Sequence, residues 1–247
     1  MAEIEISRSG AVLELTLNRP AKKNALTSDM YRQLAAGLEE AESDASIGAV
    51  LIKAEGGVFT AGNDIADFVR AAQGGEAQAA VAFVRKIARF SKPMVACVEG
   101  IAVGVGVTLL LHCDLIYVAP DARFSLPFVN LGLLPEAGSS LLLPRRVGMA
   151  RASALLLLAE SFDAGEALSA GLVNAVVAND SLVEFARGKA AALAAKPRAA
   201  LLQARAFLRG DTDEVSARIE AELAAFGAAL KTPEAQAALA AFLNKSK

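Results

Sequence analysis

The sequence predicts an α/β fold of strand–loop–helix units wound into a spiral, with a helical layer at its carboxy-terminal end. A short apolar strand, a glycine-bearing turn and a helix recur roughly 45 to 50 residues apart. From Ala150 onward the pattern is nearly all helical, and beyond residue 197 it becomes a tail rich in Ala and Leu. Residues 1–196 are expected to form the core, and residues 197–247 a helical region.

The elements follow in order. Ile4 to Ile6 and Val12 to Leu17 alternate apolar and polar side chains around Arg8-Ser9-Gly10, the mark of a hairpin, and Asn18-Arg19-Pro20 stops the second strand. Thr27-Ser28-Asp29 is suited to cap a helix running to about Ser43, with Met30, Leu34 and Leu38 on its apolar stripe. Ala49 to Lys53 is a short buried strand, turned by Gly56-Gly57 toward Phe59. Residues 65–90 are expected to be helical around a loop at Gln73-Gly74-Gly75, and Pro93 to Val98 is the next strand. After Gly100 a glycine-rich turn is expected to open an apolar helix through about Leu111, with Leu115 to Val118 returning as a strand. Farther on, Asp163 and Asp180 are expected caps, and Gly171 and Pro197 expected breaks. The tail's apolar face should cover a neighbouring subunit or fold back over its own core.

Composition excludes several classes of function. The 247 residues are 54% hydrophobic, so the core is large and apolar surface remains for subunit contacts. The formal charge is −2 and no Lys/Arg stripe appears, which argues against a nucleic-acid partner. The longest apolar run, Ile101 to Leu111, contains two glycines and falls short of the ~18 residues a membrane span needs. The beginning, Met1-Ala2-Glu3-Ile4-Glu5, is acidic rather than basic-then-apolar, so a cytoplasmic protein is expected. Cys97 and Cys113 lie in apolar stretches as small hydrophobes, and one histidine with two cysteines is too few for a zinc site. His112 falls on the buried side of its helix, as a core or interface residue. Gly104 and Gly106 lack the third glycine of a dinucleotide loop, and no Gly-x-Ser-x-Gly elbow exists for a serine hydrolase.

One carboxylate stands out. Glu136 lies in Val129-Asn130-Leu131-Gly132-Leu133-Leu134-Pro135-Glu136-Ala137-Gly138-Ser139-Ser140, among apolar neighbours. Desolvation there would lift its pKa toward neutrality and suit it to carry a proton. Leu133, Leu134 and Phe128 are the expected apolar walls. The competing reading is an acid after proline that favours a helix start. Upstream, Phe59-Thr60-Ala61-Gly62-Asn63-Asp64-Ile65 and Gly100 to Thr108 are tight turns able to aim backbone N–H groups at one oxyanion. Asn63-Asp64 also suits turn chemistry and capping.

With Asn18-Arg19-Pro20-Ala21-Lys22-Lys23-Asn24-Ala25-Leu26 and Ala170-Gly171-Leu172-Val173, these motifs stand in the order and spacing of the crotonase, or enoyl-CoA hydratase/isomerase, superfamily, which the chain resembles over most of its length. The resemblance implies a ββα spiral core, a carboxy-terminal α-helical trimerisation region, a homotrimer or dimer of trimers, and an acyl thioester of coenzyme A as substrate. Coenzyme A would belong to that substrate, with no separate cofactor and no metal. It also implies that the N–H groups of Ala61 and Val105 form the oxyanion site, and that Lys23, Ala25, Ala61, Asp64 and Ile65 line the coenzyme A groove. Family hydratases use two glutamates; the corresponding positions here are Thr108 and Phe128. The Gly104 to Leu110 segment with Leu134-Pro135-Glu136 is similar instead to peroxisomal-type Δ3,Δ2-enoyl-CoA isomerases, whose single acid–base would be Glu136. A 3-to-2 enoyl isomerase is therefore expected. Hydration or another crotonase-type reaction is the alternative, and a non-catalytic acyl-CoA-binding scaffold is the alternative from another class.

Overall fold

The computed structural model describes residues 2–67 and 78–245. In chain order the elements are β1 (Ile4–Ser9), β2 (Val12–Leu17), α1 (Ser28–Ser43), β3 (Ala49–Ala54), α2 (Gln78–Arg89), β4 (Met94–Val98), β5 (Ile101–Val103), α3 (Val105–Thr108), β6 (Leu115–Val118) and β7 (Arg123–Ser125). They continue with α4 (Ser139–Val147), α5 (Met149–Leu157), β8 (Phe162–Asp163), α6 (Ala164–Ser169), β9 (Ala175–Val176), α7 (Asn179–Ala194), α8 (Arg198–Arg209), α9 (Thr212–Ala229) and α10 (Pro233–Lys245). One sheet has the order β1-β2-β3-β4-β6-β9, and a smaller one the order β5-β7-β8. The β1–β2 hairpin is antiparallel, while β2, β3, β4, β6 and β9 pair in parallel.

Parallel strands joined by helical crossovers are covered on both faces, and side-chain alternation divides them here. Leu13, Leu15, Val50, Ile52, Met94 and Ala96 pack toward α1 and α2 in the main core. Val12, Leu51, Val95 and Cys97 point the other way, against Leu182, Ala186 and Ala190 of α7. The alternation of β2 suggests that its polar face is solvated, but α7 covers that face and buries Glu14 and Thr16. Arg187 of α7 compensates the buried carboxylate, its Nε lying 2.6 Å from Glu14 Oε1.

The structure revises several expected elements. Ile101–Val103 is a strand rather than the start of a helix, because it pairs with Arg123–Ser125. Gly104, at φ 55°, separates that strand from α3, whose four residues pass into a 3-10 turn over Leu109–His112. Asp163 makes the expected cap, in a full capping box with Glu166. Asp180 does not cap: α7 begins at Asn179 with Ala178 at the cap, and Asp180 lies in the first turn. Two short strands, β8 and β9, interrupt the stretch expected to be nearly all helix. The Gln73-Gly74-Gly75 loop lies outside the described residues.

The tail folds back over its own chain. Val215 and Ile219 of α9 pack with Val84 and Ala88 of α2 and with Ala137, while Ala235 and Leu239 of α10 join the main core. Phe207 and Leu208 at the end of α8 stay 78% and 89% exposed.

Asn24 holds the loop after β2 in place. It is buried, and at φ 53° it takes the left-handed conformation that Asn tolerates best among non-glycine residues. Its Nδ2 donates to the carbonyls of Glu55 and Val58 at 2.9 and 2.7 Å, and its Oδ1 accepts from Arg19 N at 2.7 Å. Replacing it with Ala removes three buried hydrogen bonds and strands their partners. Asn24→Ala should therefore lower stability by about 2 to 4 kcal/mol in urea denaturation; a loss under about 0.5 kcal/mol would contradict this role.

Candidate active site

Glu136 lies in the turn that leads into α4. Its carbonyl accepts from Ser139 N at 3.0 Å, and the next residues, Ala137 and Gly138, take φ of 58° and 74°. A left-handed Ala is strained and persists only where its surroundings impose it. Here His112 Nε2 meets the Ala137 carbonyl at 2.8 Å from one side. Burial pushes the His112 pKa down to about 4, so a neutral imidazole donates that bond. From the other side, Gly138 N and Ser140 N donate to the carboxylate of Glu222 on α9 at 2.6 and 2.9 Å.

The Glu136 residue is half-buried, while its carboxyl group is surrounded by protein. Burial pushes its pKa up to about 7; the Thr108 hydroxyl opposes the rise, and the charge of Glu222 adds to it. Thr108, fully buried at the end of α3, donates from Oγ1 to Glu136 Oε1 at 2.5 Å. One carboxyl oxygen is thus held, and Oε2 has no hydrogen-bond donor among the described residues. Of the three expected apolar walls, Phe128 and Leu133 are buried, whereas Leu134 is 38% exposed.

Two close approaches bring the upstream turns together. A Cβ on Gly106 would lie 2.5 Å from Thr60 Cγ2, and one on Gly62 would lie 2.9 Å from the Val103 carbonyl oxygen. Only glycine lets α3 and the 59–65 segment pack this tightly. Val105 N, at the first position of α3, has no acceptor among the described residues, so this N–H is available.

Ala61 does not meet the expectation for a donor, because its N–H is committed to the Lys23 carbonyl at 2.9 Å. The neighbouring Asn63 N–H differs in being uncommitted. Leu26 bridges this segment by donating to the Gly62 carbonyl and accepting from Asp64 N, each at 2.8 to 2.9 Å, so the Asn63 N–H faces away from Leu26 and has no acceptor among the described residues. The left-handed φ of Gly62, 88°, breaks the strand's alternation, so the N–H groups of positions 61 and 63 face opposite ways. The Asn63 side chain is held from behind, its Oδ1 accepting from Tyr31 Oη at 2.5 Å.

The other expected lining residues divide. Lys23 is exposed and Ala25 half-buried beside the 59–65 segment. The Asp64 carboxylate is committed to Arg19, at 2.9 Å, and to Asp67 N at 3.0 Å. Burial works to raise its pKa, but the bonds from Asp67 and Arg19 outweigh burial and lower it. Ile65 packs against the main core. A cavity of about 360 Å³ opens near His112, Asp114, Arg146 and Arg209, and Glu136 is not part of its lining. No group of three or more His, Cys, Asp or Glu among the described residues could hold a metal ion, and no described helix is long and apolar enough to cross a membrane.

Two predictions follow from the electrostatics of Glu136. The unfolded chain ionises this group near 4.5 and the folded chain near 7. Its contribution to stability is therefore complete below pH 4.5 and is lost as pH rises through about 7, to a limit of about 3 kcal/mol. Glu136→Gln should thus be the more stable protein by about that amount in urea denaturation at pH 8. At pH 4 it should gain little; equal stability at both pH values would contradict the shift. Thr108→Val removes a bond to the ionised form, so the Glu136 midpoint, followed by infrared titration of the carboxyl band, should move to higher pH. The expected change in proton affinity is about threefold to tenfold.

The comparisons agree with this architecture. The family model described as "Enoyl-CoA hydratase/isomerase" matches residues 7–247. A 2,3-dehydroadipyl-CoA hydratase of Escherichia coli is 36% identical over 99% of this chain and 97% of its own. Enoyl-CoA delta isomerase 2 of Rattus norvegicus is 39% identical over 70% of this chain and 46% of its own. A crystal structure of an enoyl-CoA hydratase/isomerase from Pseudoalteromonas atlantica superposes with a TM-score of 0.93, at 40% identity, covering 99% of this chain and 98% of that one. The chain is an enzyme of the enoyl-CoA hydratase/isomerase family, with the crotonase fold.

Proposed function

We propose that this enzyme moves the double bond of a 3-enoyl-CoA thioester to the 2-position, with Glu136 as its single acid–base. The observation that carries the reading is one buried carboxyl with a pKa of about 7. Thr108 and Phe128 stand where the hydratases of the family would have their glutamates, and neither exchanges protons near neutral pH. The thioester oxygen would sit between the N–H groups of Asn63 and Val105. As Glu136 Oε2 removes a proton from C2, the electrons of the C–H bond delocalise toward that oxygen, and the two N–H groups stabilise the charge as it develops. The resulting dienolate takes the same proton back at C4, which leaves the conjugated 2-enoyl thioester and restores the carboxylate. A pKa near the working pH suits both halves of such a shuttle, because neither protonation state is costly to reach. Lys23, Ala25 and Ile65 border the path the coenzyme A moiety would follow. Exposed Phe207 and Leu208 support the reading that the 197–247 helices contact further copies of the chain in a trimer.

Hydration is the second reading, favoured by the hydratase relative that matches nearly the whole chain. It would require Glu136 both to activate water and to serve as the acid. Glu222, the neighbouring carboxyl, has both oxygens engaged by backbone and hydroxyl donors.

Purified enzyme supplied separately with 3-enoyl and 2-enoyl thioesters distinguishes the readings. Conversion of the first should exceed hydration of the second by at least about a hundredfold; comparable rates would contradict the assignment. Glu136→Gln should slow isomerisation by about a thousandfold, while the Kd for a saturated acyl-CoA changes less than about threefold. Turnover within tenfold of the parent would exclude Glu136 as the base.

A further inference from the structure

Resting on the assignment of Glu136 as acid–base, we propose that Glu222 is a positioning residue: from the carboxy-terminal helix α9 it clamps the catalytic turn and supplies a negative charge behind the base. Nothing in the motifs around Glu136 points to it, since it is 86 positions farther along the chain.

The geometry is specific. Glu222 is only 7% exposed, yet each of its oxygens is engaged by the turn. Oε2 accepts from Gly138 N at 2.6 Å, and Oε1 accepts from Ser140 N at 2.9 Å and Ser140 Oγ at 2.6 Å. These N–H groups belong to the start of α4, whose cap residue, Gly138, has no side chain to satisfy them. Ser139 does not replace it, because its buried hydroxyl has no partner. The carboxylate therefore caps α4 from another element, and it holds in place the left-handed Ala137-Gly138 pair that immediately follows Glu136.

The charge has a second effect. Glu222 acts on Glu136 in the direction that favours the protonated acid. Burial raises the pKa of Glu222, and the bonds from Ser140 and Gly138 and the charge of Arg218 oppose that rise. Arg218 of the same helix is exposed and donates to Ser140 Oγ at 3.0 Å. The cations facing α9 from α2 are already paired, Arg85 with Glu220 and Arg89 with Asp213, and Arg145 of α4 is paired with Glu214. His112, on the far side of the turn, is neutral above a pH of about 4. Thr108 and Tyr31, the remaining polar groups near Glu136, carry no charge at neutral pH.

The test measures pH profiles of kcat and kcat/KM for a 3-enoyl thioester with the parent, Glu222→Gln, Glu222→Asp and Glu136→Gln. Glu222→Gln removes the charge and leaves one acceptor for three donors. Its acid limb should move to lower pH, its plateau kcat should fall at least tenfold, and its KM should stay within threefold. Glu222→Asp keeps the charge on a shorter arm, so kcat should fall while the acid limb stays near the parental position. A glutamine variant with parental kcat and an unmoved acid limb overturns the proposal, as does one that only melts at lower temperature. If the glutamine variant does not fold, the aspartate variant decides, and a parental kcat there overturns the clamp. The Glu136→Gln arm separates the two assignments. Full activity in it would remove the acid–base reading itself, whereas an inactive Glu136→Gln beside a parental Glu222→Gln would remove only the role of Glu222.

Discussion

The site depends on a carboxyl group withdrawn from water, with no cation paired to it among the described residues. Burial alone would leave Glu136 a permanent acid, and full solvation would leave it a permanent anion. The 2.5 Å bond from Thr108 limits the effect of burial, and the charge of Glu222 opposes that limit. The result is a group that holds or releases a proton at little cost near neutrality. The surrounding structure keeps these three side chains, which come from α3, the turn before α4, and α9, in a fixed relation.

The fold achieves this by close backbone contact rather than by long side chains. Gly62 and Gly106 let the 59–65 segment pack against β5 and α3 at distances no Cβ would allow. The N–H groups of Asn63 and Val105, in these two segments, have no acceptor among the described residues. Behind the turn after Glu136, His112 and Glu222 grip successive peptide units from opposite sides. The carboxy-terminal helices are therefore part of the site's support, since α9 both packs on α2 and caps α4. A strained Ala137 is tolerable in such a setting, because its neighbours leave it no alternative.

Much of this was legible in the residues, and the exceptions have physical causes. The hairpin, the strands at 49, 94 and 115, the capped helix after Thr27 and the cap at Asp163 follow from periodicity and capping chemistry. Glu136 stands out in the sequence as a lone acid in an apolar run, whereas Val105 enters only through the family resemblance. The helix expected after Gly100 begins only at Val105, because Ile101–Val103, equally apolar, is made a strand by its partner at 123–125. That the Ala61 N–H is committed to Lys23 was not legible, because the backbone angle at Gly62 is not revealed by composition. Glu14 and Glu222 were missed for a common reason. Each is an ordinary acid on its own element, and only a distant partner, Arg187 or the turn after Glu136, makes it a buried one.

The central claim, that one carboxyl carries the proton between two carbons on one face of the substrate, is tested most directly by isotope transfer. A 3-enoyl thioester deuterated at C2 is turned over once in ordinary water, and the product is examined by NMR at C4. A shielded single shuttle predicts that a substantial fraction of the deuterium reappears at C4. Complete loss of the label to solvent, with no deuterium at C4 even in the first turnover, would contradict it.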